Sequence, residues 1–266
     1  MRFVRLLVSV ATVTASMTLM QTGMTIETSL NEKSGHPWVH LGGSAPAVAL
    51  EPELSYKPPG DLDAPETSRG TGSRGCNDSV AVGLTLLVPD NHVGVTASGH
   101  PSFYWHLSEQ SSADMEFALV EAGVPTPIFT QKIAGAPTGI VEVAMPKDLP
   151  ELEEGKTYRW SVSVLCNEER RSSDVFAQAW IKRVAPLELE AAGESPSEPT
   201  ATGSDRQLAS VYAQEGLWYD ALKAISSAYE DSANDRAIAL ERLSLLEQVG
   251  LNEVVAQERE RIASTN

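Results

Sequence analysis

The chain has 266 residues, 36 Asp and Glu against 20 Lys and Arg, a formal net charge of −16, five His and two Cys. Such a charge repels polyphosphate and excludes non-specific nucleic-acid binding, while 42% hydrophobic and 21% charged residues describe a globular chain rather than a disordered or multi-span one. Two cysteines cannot build a Cys-based zinc cluster or a disulfide-dense miniature scaffold.

Arg2 and Arg5 form a short basic start, and the stretch 6–20 behind them is uncharged and rich in Leu, Val, Met, Ala and Thr. An apolar run of roughly 7–15 residues after a basic start is the secretory pattern, and a membrane span needs about 20. Residues 1–25 are therefore expected to be a signal peptide. The protein is then periplasmic or extracellular, with no membrane span once the signal is removed. An uncleaved anchor is the competing reading. Ala11, Ala15 and Ser16 offer small residues to a peptidase without a clean A-x-A box, and no Cys follows the run to take a lipid.

Export bears on Cys76 and Cys166. An even count in an oxidising compartment makes one disulfide the first expectation. Closing a loop of 90 residues would stabilise the fold by about 4–5 kcal/mol on the chain-entropy account. Two buried thiols, or a nucleophile with a His base close in space, are the rival readings.

Residues 26–75 read as a disordered linker, with Pro46, Pro52, Pro58, Pro59 and Pro65 among Gly, Ser and Glu. Gly70, Gly72 and Gly75 spell G-x-G-x-x-G, but a dinucleotide site needs that motif between a strand and a helix. Asp63-Ala64-Pro65 before it and Cys76-Asn77-Asp78 after it fit neither, so the segment reads as a flexible basic hinge.

From 76 to 186 the hydrophobic period becomes two. Val80, Val82, Leu84, Leu86 and Val88 share a face, as do Phe103, Trp105 and Leu107, then Met115, Phe117 and Leu119, then Val141, Val143 and Met145. Tyr158, Trp160, Val162, Val164 and Cys166 alternate with polar residues, and a last run from Val175 to Val184 is apolar on both faces. Breaks at Pro89-Asp90-Asn91, Gly99-His100-Pro101, Val124-Pro125, Gly135-Ala136-Pro137 and Glu153-Glu154-Gly155 separate them. This pattern predicts an antiparallel β-sandwich. Leu152, Gly155 and Tyr158 have the L-x-x-G-x-x-Y spacing that resembles the tyrosine corner of immunoglobulin and fibronectin-III domains, in which the Tyr hydroxyl bonds back to upstream backbone.

Residues 187–204 return to linker composition, and from 205 to 266 the period is helical. Tyr212 and Gly216 are echoed 34 positions later by Leu246 and Gly250, and Ala221 by Val255. Leu208, Tyr212, Gly216, Trp218, Ala221, Leu222 and Ile225 resemble the tetratricopeptide consensus, in which the glycine lets two antiparallel helices pack closely. Asn252 and Arg259 make the second copy degenerate. Two copies form a small helical hairpin region rather than a long peptide groove. Trp218 and Tyr219 are its candidate partner contacts, against the alternative of packing between helices.

Six ordered motifs resemble one family. They are Gly70-Thr71-Gly72-Ser73-Arg74-Gly75-Cys76, Leu84-Thr85-Leu86-Leu87-Val88-Pro89, His100-Pro101-Ser102-Phe103-Tyr104-Trp105, Tyr158-Arg159-Trp160, Arg171-Ser172-Ser173-Asp174-Val175-Phe176, and the segment from Tyr212 through Gly216 and Trp218 to Leu222. Together they are similar to the exported cyanobacterial family called domain of unknown function 928, from about Arg69 to Val255. The resemblance implies export, a paired Cys76 and Cys166, a β domain and a C-terminal helical segment. It carries no established activity, so no catalytic residue is transferred. Ser102 stands where the family more often has Thr.

Chemistry is sparse. His92, His100 and His106 match no compact metal spacing, and alternation places His106 beside Tyr104 on the outward face, as a surface histidine. His36 and His40 are four apart, but Pro37 and Gly42-Gly43 oppose a helix there. Thr96-Ala97-Ser98-Gly99-His100 is not a G-x-S-x-G elbow. Glu153-Glu154 and Glu168-Glu169 sit at turns as solvated charge, and Arg170-Arg171 with Asp174 suggests a local ion-pair cluster. Asn77 opens a glycosylation sequon.

The fold expected is thus mainly β plus α: an immunoglobulin/fibronectin-III-like sandwich over 76–186 and a tetratricopeptide-like region over 205–266. The function expected is that of a non-catalytic extracytoplasmic interaction or scaffold protein with a protein partner in the cell envelope and no cofactor or metal. The alternative is a carbohydrate- or envelope-binding sandwich using Tyr104 and Tyr158.

Overall fold

The computed structural model describes residues 54–60, 83–166, 174–186, 201–232 and 235–264, with side chains from 205 onward in the first helix. All of these belong to one compact unit, Ala49–Asn266. The expected signal peptide, glycine hinge, Asn77 sequon, His36, His40 and Cys76 lie outside the described residues, as does most of the 187–204 linker.

Eight strands and four helices follow in chain order: β1 Leu84–Leu86, β2 Gly94–Thr96, β3 Ser102–Leu107, β4 Met115–Glu121, β5 Pro127–Ile133, β6 Gly139–Ala144, β7 Thr157–Val164, β8 Val175–Arg183, α1 Ala201–Gln214, α2 Trp218–Asp231, α3 Arg236–Glu247 and α4 Asn252–Ser264. The strands form a three-stranded sheet, β1-β3-β6, and a five-stranded sheet, β2-β8-β7-β4-β5. Every pair is antiparallel except β2–β8, which is parallel and departs from the all-antiparallel expectation. Each proline- or glycine-rich break named above falls between two strands. β2 and β5 carry no clear sequence signal. β2 has only three residues, and β5 is an edge strand with most of its side chains exposed, so burial imposes no alternation on it.

The sheets meet face to face through aromatic rings. Phe103 on β3 lies 5.0 Å from Phe117 on β4 and 5.2 Å from Trp160 on β7, centroid to centroid. Such tilted contacts each add roughly 0.5–1.5 kcal/mol beyond burial. β3 is buried on both faces. Phe103, Trp105 and Leu107 fill the sandwich, and the alternate residues Ser102, Tyr104 and His106 face the helices.

Helix ends explain the 34-residue echo. Gly216 (φ 74°) and Gly250 (φ 86°) both stand in the left-handed region. In each case the glycine N–H and the next N–H turn back to the closing turn: Gly216 to Ala213 and Leu217 to Tyr212, Gly250 to Glu247 and Leu251 to Leu246. This is the glycine C-cap with its apolar residue behind it, since Leu217 and Leu251 are buried. The glycines therefore end helices, and close helix–helix packing is not what requires them here. α3 starts on Asp235, whose carboxylate accepts from the Ala237 and Ile238 N–H groups.

Within the stretch read as linker, Leu54 and Tyr56 are buried. The side-chain amide of Gln248 donates to Leu54 O (2.8 Å) and accepts from Tyr56 N–H (2.8 Å), and Lys57 N–H donates to Ala213 O. A Cβ on Gly216 would stand 2.8 Å from Lys57 O, so the strap needs that glycine to pass. Tyr56 stacks on His92 at 5.6 Å and meets Trp218 edge-on at 5.2 Å. Two aromatic neighbours and these backbone bonds outweigh the proline-rich composition locally.

The helices cover the outer face of the small sheet. Lys223 on α2 pairs with Glu142 on β6 at 3.0 Å. His106 is buried rather than on the surface, its Nε2 lying 3.2 Å from Glu258 on α4. An ionised carboxylate only accepts, so the Nε2 proton is the one donated. Arg261 binds the same carboxylate at 2.7 Å. Burial opposes ionisation of Glu258, but the hydrogen bonds from His106 and Arg261 and the Arg261 charge outweigh it and hold its pKa at about 2.

Because the folded pKa lies below the ordinary 4.5, this stabilisation is fully present above about pH 4.5 and is lost as pH falls toward 2. Glu258→Gln is expected to cost on the order of 3 kcal/mol at neutral pH and to flatten the acid limb of stability in urea titrations. Unchanged stability and an unchanged acid limb would show that this carboxylate does not hold α4 to the sheet.

Candidate functional site

The four residues singled out as contacts are core. Trp218, Tyr219, Tyr104 and Tyr158 are each 2% exposed or less, so none presents a ring to a partner or a glycan. Trp218 Nε1–H donates to Leu87 O at 2.9 Å. Tyr219 accepts from Trp160 Nε1–H at 2.9 Å and donates to Trp180 O at 3.2 Å. Tyr158 accepts the Glu153 N–H at 2.7 Å, a bond back to upstream backbone. Tyr104 is closed off by the helices because an outward strand face meets whatever packs on it, which here is not water. Burial first, then the Glu142 charge, push its hydroxyl pKa up.

The histidines are also structural in their contacts. His92 Nδ1 lies 2.6 Å from Asn91 Oδ1 and its Nε2 lies 2.7 Å from the Tyr56 hydroxyl. Burial lowers its pKa, against the raising effect of Asp90. His100 Nε2 is 2.8 Å from Leu149 O, and because a carbonyl only accepts, that nitrogen is the donor.

A groove of about 600 Å³ runs between the α1–α2 hairpin and the β2–β3 loop with the end of β6. α1 contributes Asp205, Leu208 and Tyr212, and α2 contributes Asp220, Lys223 and Ser227, each set at i, i+3, i+7 spacing on one helical face. Lys147 stands on the opposite wall, exposed and without an ion-pair partner among the described residues.

Asp220 shapes one end. It lies in the first turn of α2, where a negative charge suits the helix dipole. Its carboxylate accepts from Ala97 N–H at 3.0 Å, fixing the β2–β3 loop against the helix. Burial raises its pKa, and bonds from the Thr96 hydroxyl and the Ala97 N–H partly offset that. Burial, then the charges of Asp220 and Asp205, raise the Tyr212 hydroxyl as well, so it stays a donor. The groove is thus lined by donors and acceptors together with apolar residues such as Leu208 and Met145, the equipment for holding a ligand by oriented hydrogen bonds.

Sequence reasoning missed Asp220, Tyr212, Lys223 and Lys147 as a set. Lys147 follows β6, more than 60 residues before Tyr212, Asp220 and Lys223 on the consecutive helices α1 and α2, and only Tyr212 and Asp220 sit inside a recognised motif. Among the described residues no group of three or more His, Cys, Asp or Glu is placed to hold a metal ion. No helix among them is long and apolar enough to cross a membrane.

Comparison with known families matches residues 69–259 to the family described as Domain of Unknown Function (DUF928). Comparison with curated proteins gives no match.

The raised pKa of Asp220 means that burial of its charge costs stability above its ordinary range, whereas its acceptor oxygen supports the loop. Asp220→Asn keeps an acceptor and is expected to match or exceed the parent at neutral pH. Asp220→Ala strands the Ala97 N–H and is expected to lose about 1–3 kcal/mol in thermal or urea unfolding. Equal losses for both variants would mean that the charge itself holds the loop.

Proposed function

The chain belongs to the DUF928 family, and from that premise and the groove between helices and sheets we propose that it is a non-catalytic interaction or scaffold protein acting outside the cytoplasm. The observation that carries this reading is the groove itself, which sets charged and hydroxyl side chains of α1 and α2 against the β2–β3 loop, with apolar residues among them. The ligand is a protein segment of the cell envelope, held by hydrogen bonds to Tyr212, Lys147 and Lys223. The basic start and uncharged stretch 6–20 support export, from a cyanobacterial cell in keeping with the family resemblance.

Finer features of the fold belong to the same proposal. The Tyr158 bond to the Glu153 N–H supports an immunoglobulin/fibronectin-III-like sandwich. The twin glycine caps 34 positions apart support a tetratricopeptide-like origin for the helices. The glycan-binding alternative loses both of its contacts, since Tyr104 and Tyr158 are buried.

Two experiments test the reading. Immobilised protein exposed to native envelope extract is expected to retain a protein that Tyr212→Ala and Lys147→Glu variants, folded by circular dichroism, release. Retention indifferent to both changes, or turnover of a substrate by the isolated protein, would overturn it. Export further implies a Cys76–Cys166 bridge, so the denatured, unreduced protein is expected to show no reactive thiol and the reduced protein two. Two reactive thiols before reduction would remove that support.

A further inference from the structure

Residues 54–59 lie on the helical region as a bound peptide would. Burial alternates along them, with Leu54 and Tyr56 inward and Ser55 and Lys57 exposed, as in an extended segment. They join neither sheet. The side-chain amide of Gln248 stands in for a neighbouring strand, bonding Leu54 O and Tyr56 N–H on either side of Ser55, and Ala213 O accepts from Lys57 N–H. Pro59 passes so close to Gly216 that a Cβ there would stand 2.9 Å from its ring.

The groups that hold this segment are fixed by other parts of the chain. Gln248 ends α3, and its amide also donates to Ser244 O at 3.1 Å within its own helix, so it is oriented whatever lies on it. Ala213 belongs to the last turn of α1, where carbonyls outnumber their helical partners. Trp218, which the Tyr56 ring meets edge-on, is held by Leu87 O. His92 Nδ1 faces the Asn91 side-chain oxygen at 2.6 Å and carries the ring proton, so Nε2 accepts the Tyr56 hydroxyl at 2.7 Å. A phenylalanine in this seat would leave that buried acceptor unpaired, which selects tyrosine. From Gly60, 22 residues run to Gly83, the next described part of the chain. The segment is thus a ligand on a covalent tether.

We propose that the cleft between the end of α1 and the end of α3 is a peptide-recognition site with residues 54–59 as its resident ligand, and that a segment of another protein with Leu and Tyr two positions apart and Pro three beyond the Tyr takes the same seat by displacing them. Main-chain bonds to Gln248 and Ala213 supply affinity, and the seats of the two alternate side chains supply selection. None of Gln248, Ala213, Gly216, His92 and Trp218 lines the groove between α1, α2 and the β2–β3 loop.

Two measurements on the whole protein test this. In native-state amide exchange on the unaltered chain, the Tyr56 and Lys57 amides are expected to exchange through a local opening insensitive to dilute urea, and the β7 amides only through urea-sensitive unfolding. Equal protection with equal urea dependence would make the segment an integral part of the fold and overturn its displacement, and this holds even where a variant does not fold. The second measurement is fluorescence anisotropy with a labelled, blocked heptapeptide copying residues 54–60. Leu54→Ser with Tyr56→Ser, folded by circular dichroism, is expected to bind it about tenfold or more tighter than the parent, because its own segment competes less. Phenylalanine for tyrosine in the peptide, or Gln248→Ala in that variant, is expected to weaken binding about fivefold or more. Lys147→Glu is expected to leave it unchanged, which separates this site from the groove. Equal binding to parent and variant, equal binding of a scrambled peptide, or indifference to Gln248→Ala would overturn the site.

Discussion

The hydroxyl of Tyr219 joins the helices to the sheets. It accepts the Trp160 indole N–H from inside the sandwich and donates to the Trp180 carbonyl at the sheet edge. Burial raises its pKa, so it keeps the proton that the second bond needs. Its ring lies 5.9 Å from Phe103, which in turn touches Phe117 and Trp160. Trp218 beside it caps Leu87 O. Gly94 is where β2 must yield, since a Cβ there would stand 2.9 Å from the Tyr219 ring. A buried indole N–H left without an acceptor costs about 1–3 kcal/mol, so the first turn of α2 and the sandwich interior specify one another.

This joint sets the remaining architecture. Once α2 is seated, its following turns lie over β6 and β3, and α4 brings Glu258 to His106. The small sheet is then buried on both faces at β3, which is why that strand carries six consecutive buried residues. The same seating sets the α1–α2 face opposite the β2–β3 loop, to which Asp220 ties it, and the groove lies between them. Structure and candidate site are therefore consequences of one contact, and changes to the joint reach both.

Much of the sandwich was legible because burial on one face forces a period of two. The runs around Phe103, Phe117 and Trp160 are strands, and the proline- and glycine-rich breaks separate them. Alternation says which residues share a face and nothing about what covers it, so Tyr104 and His106 read as outward when the helices bury them, while Trp218 and Tyr219 take the packed alternative to a partner contact. The spacing of Gly216 and Gly250 was visible, but its cause is helix termination with positive φ. Leu54 and Tyr56 were hidden by five prolines nearby, because composition averages over a window that two anchoring side chains do not need. The groove was not legible at all: Lys147, Tyr212 and Asp220 meet only after the helices fold back on the sheets.

The most direct test of the joint is equilibrium unfolding in urea, followed in parallel by far-ultraviolet circular dichroism for the helices and by tryptophan fluorescence for the sandwich, on the parent protein and on Tyr219→Phe. The account predicts a single shared transition that moves to lower urea as a whole in the variant. Helices that unfold apart from the sheets, or a variant that shifts one signal alone, would contradict it.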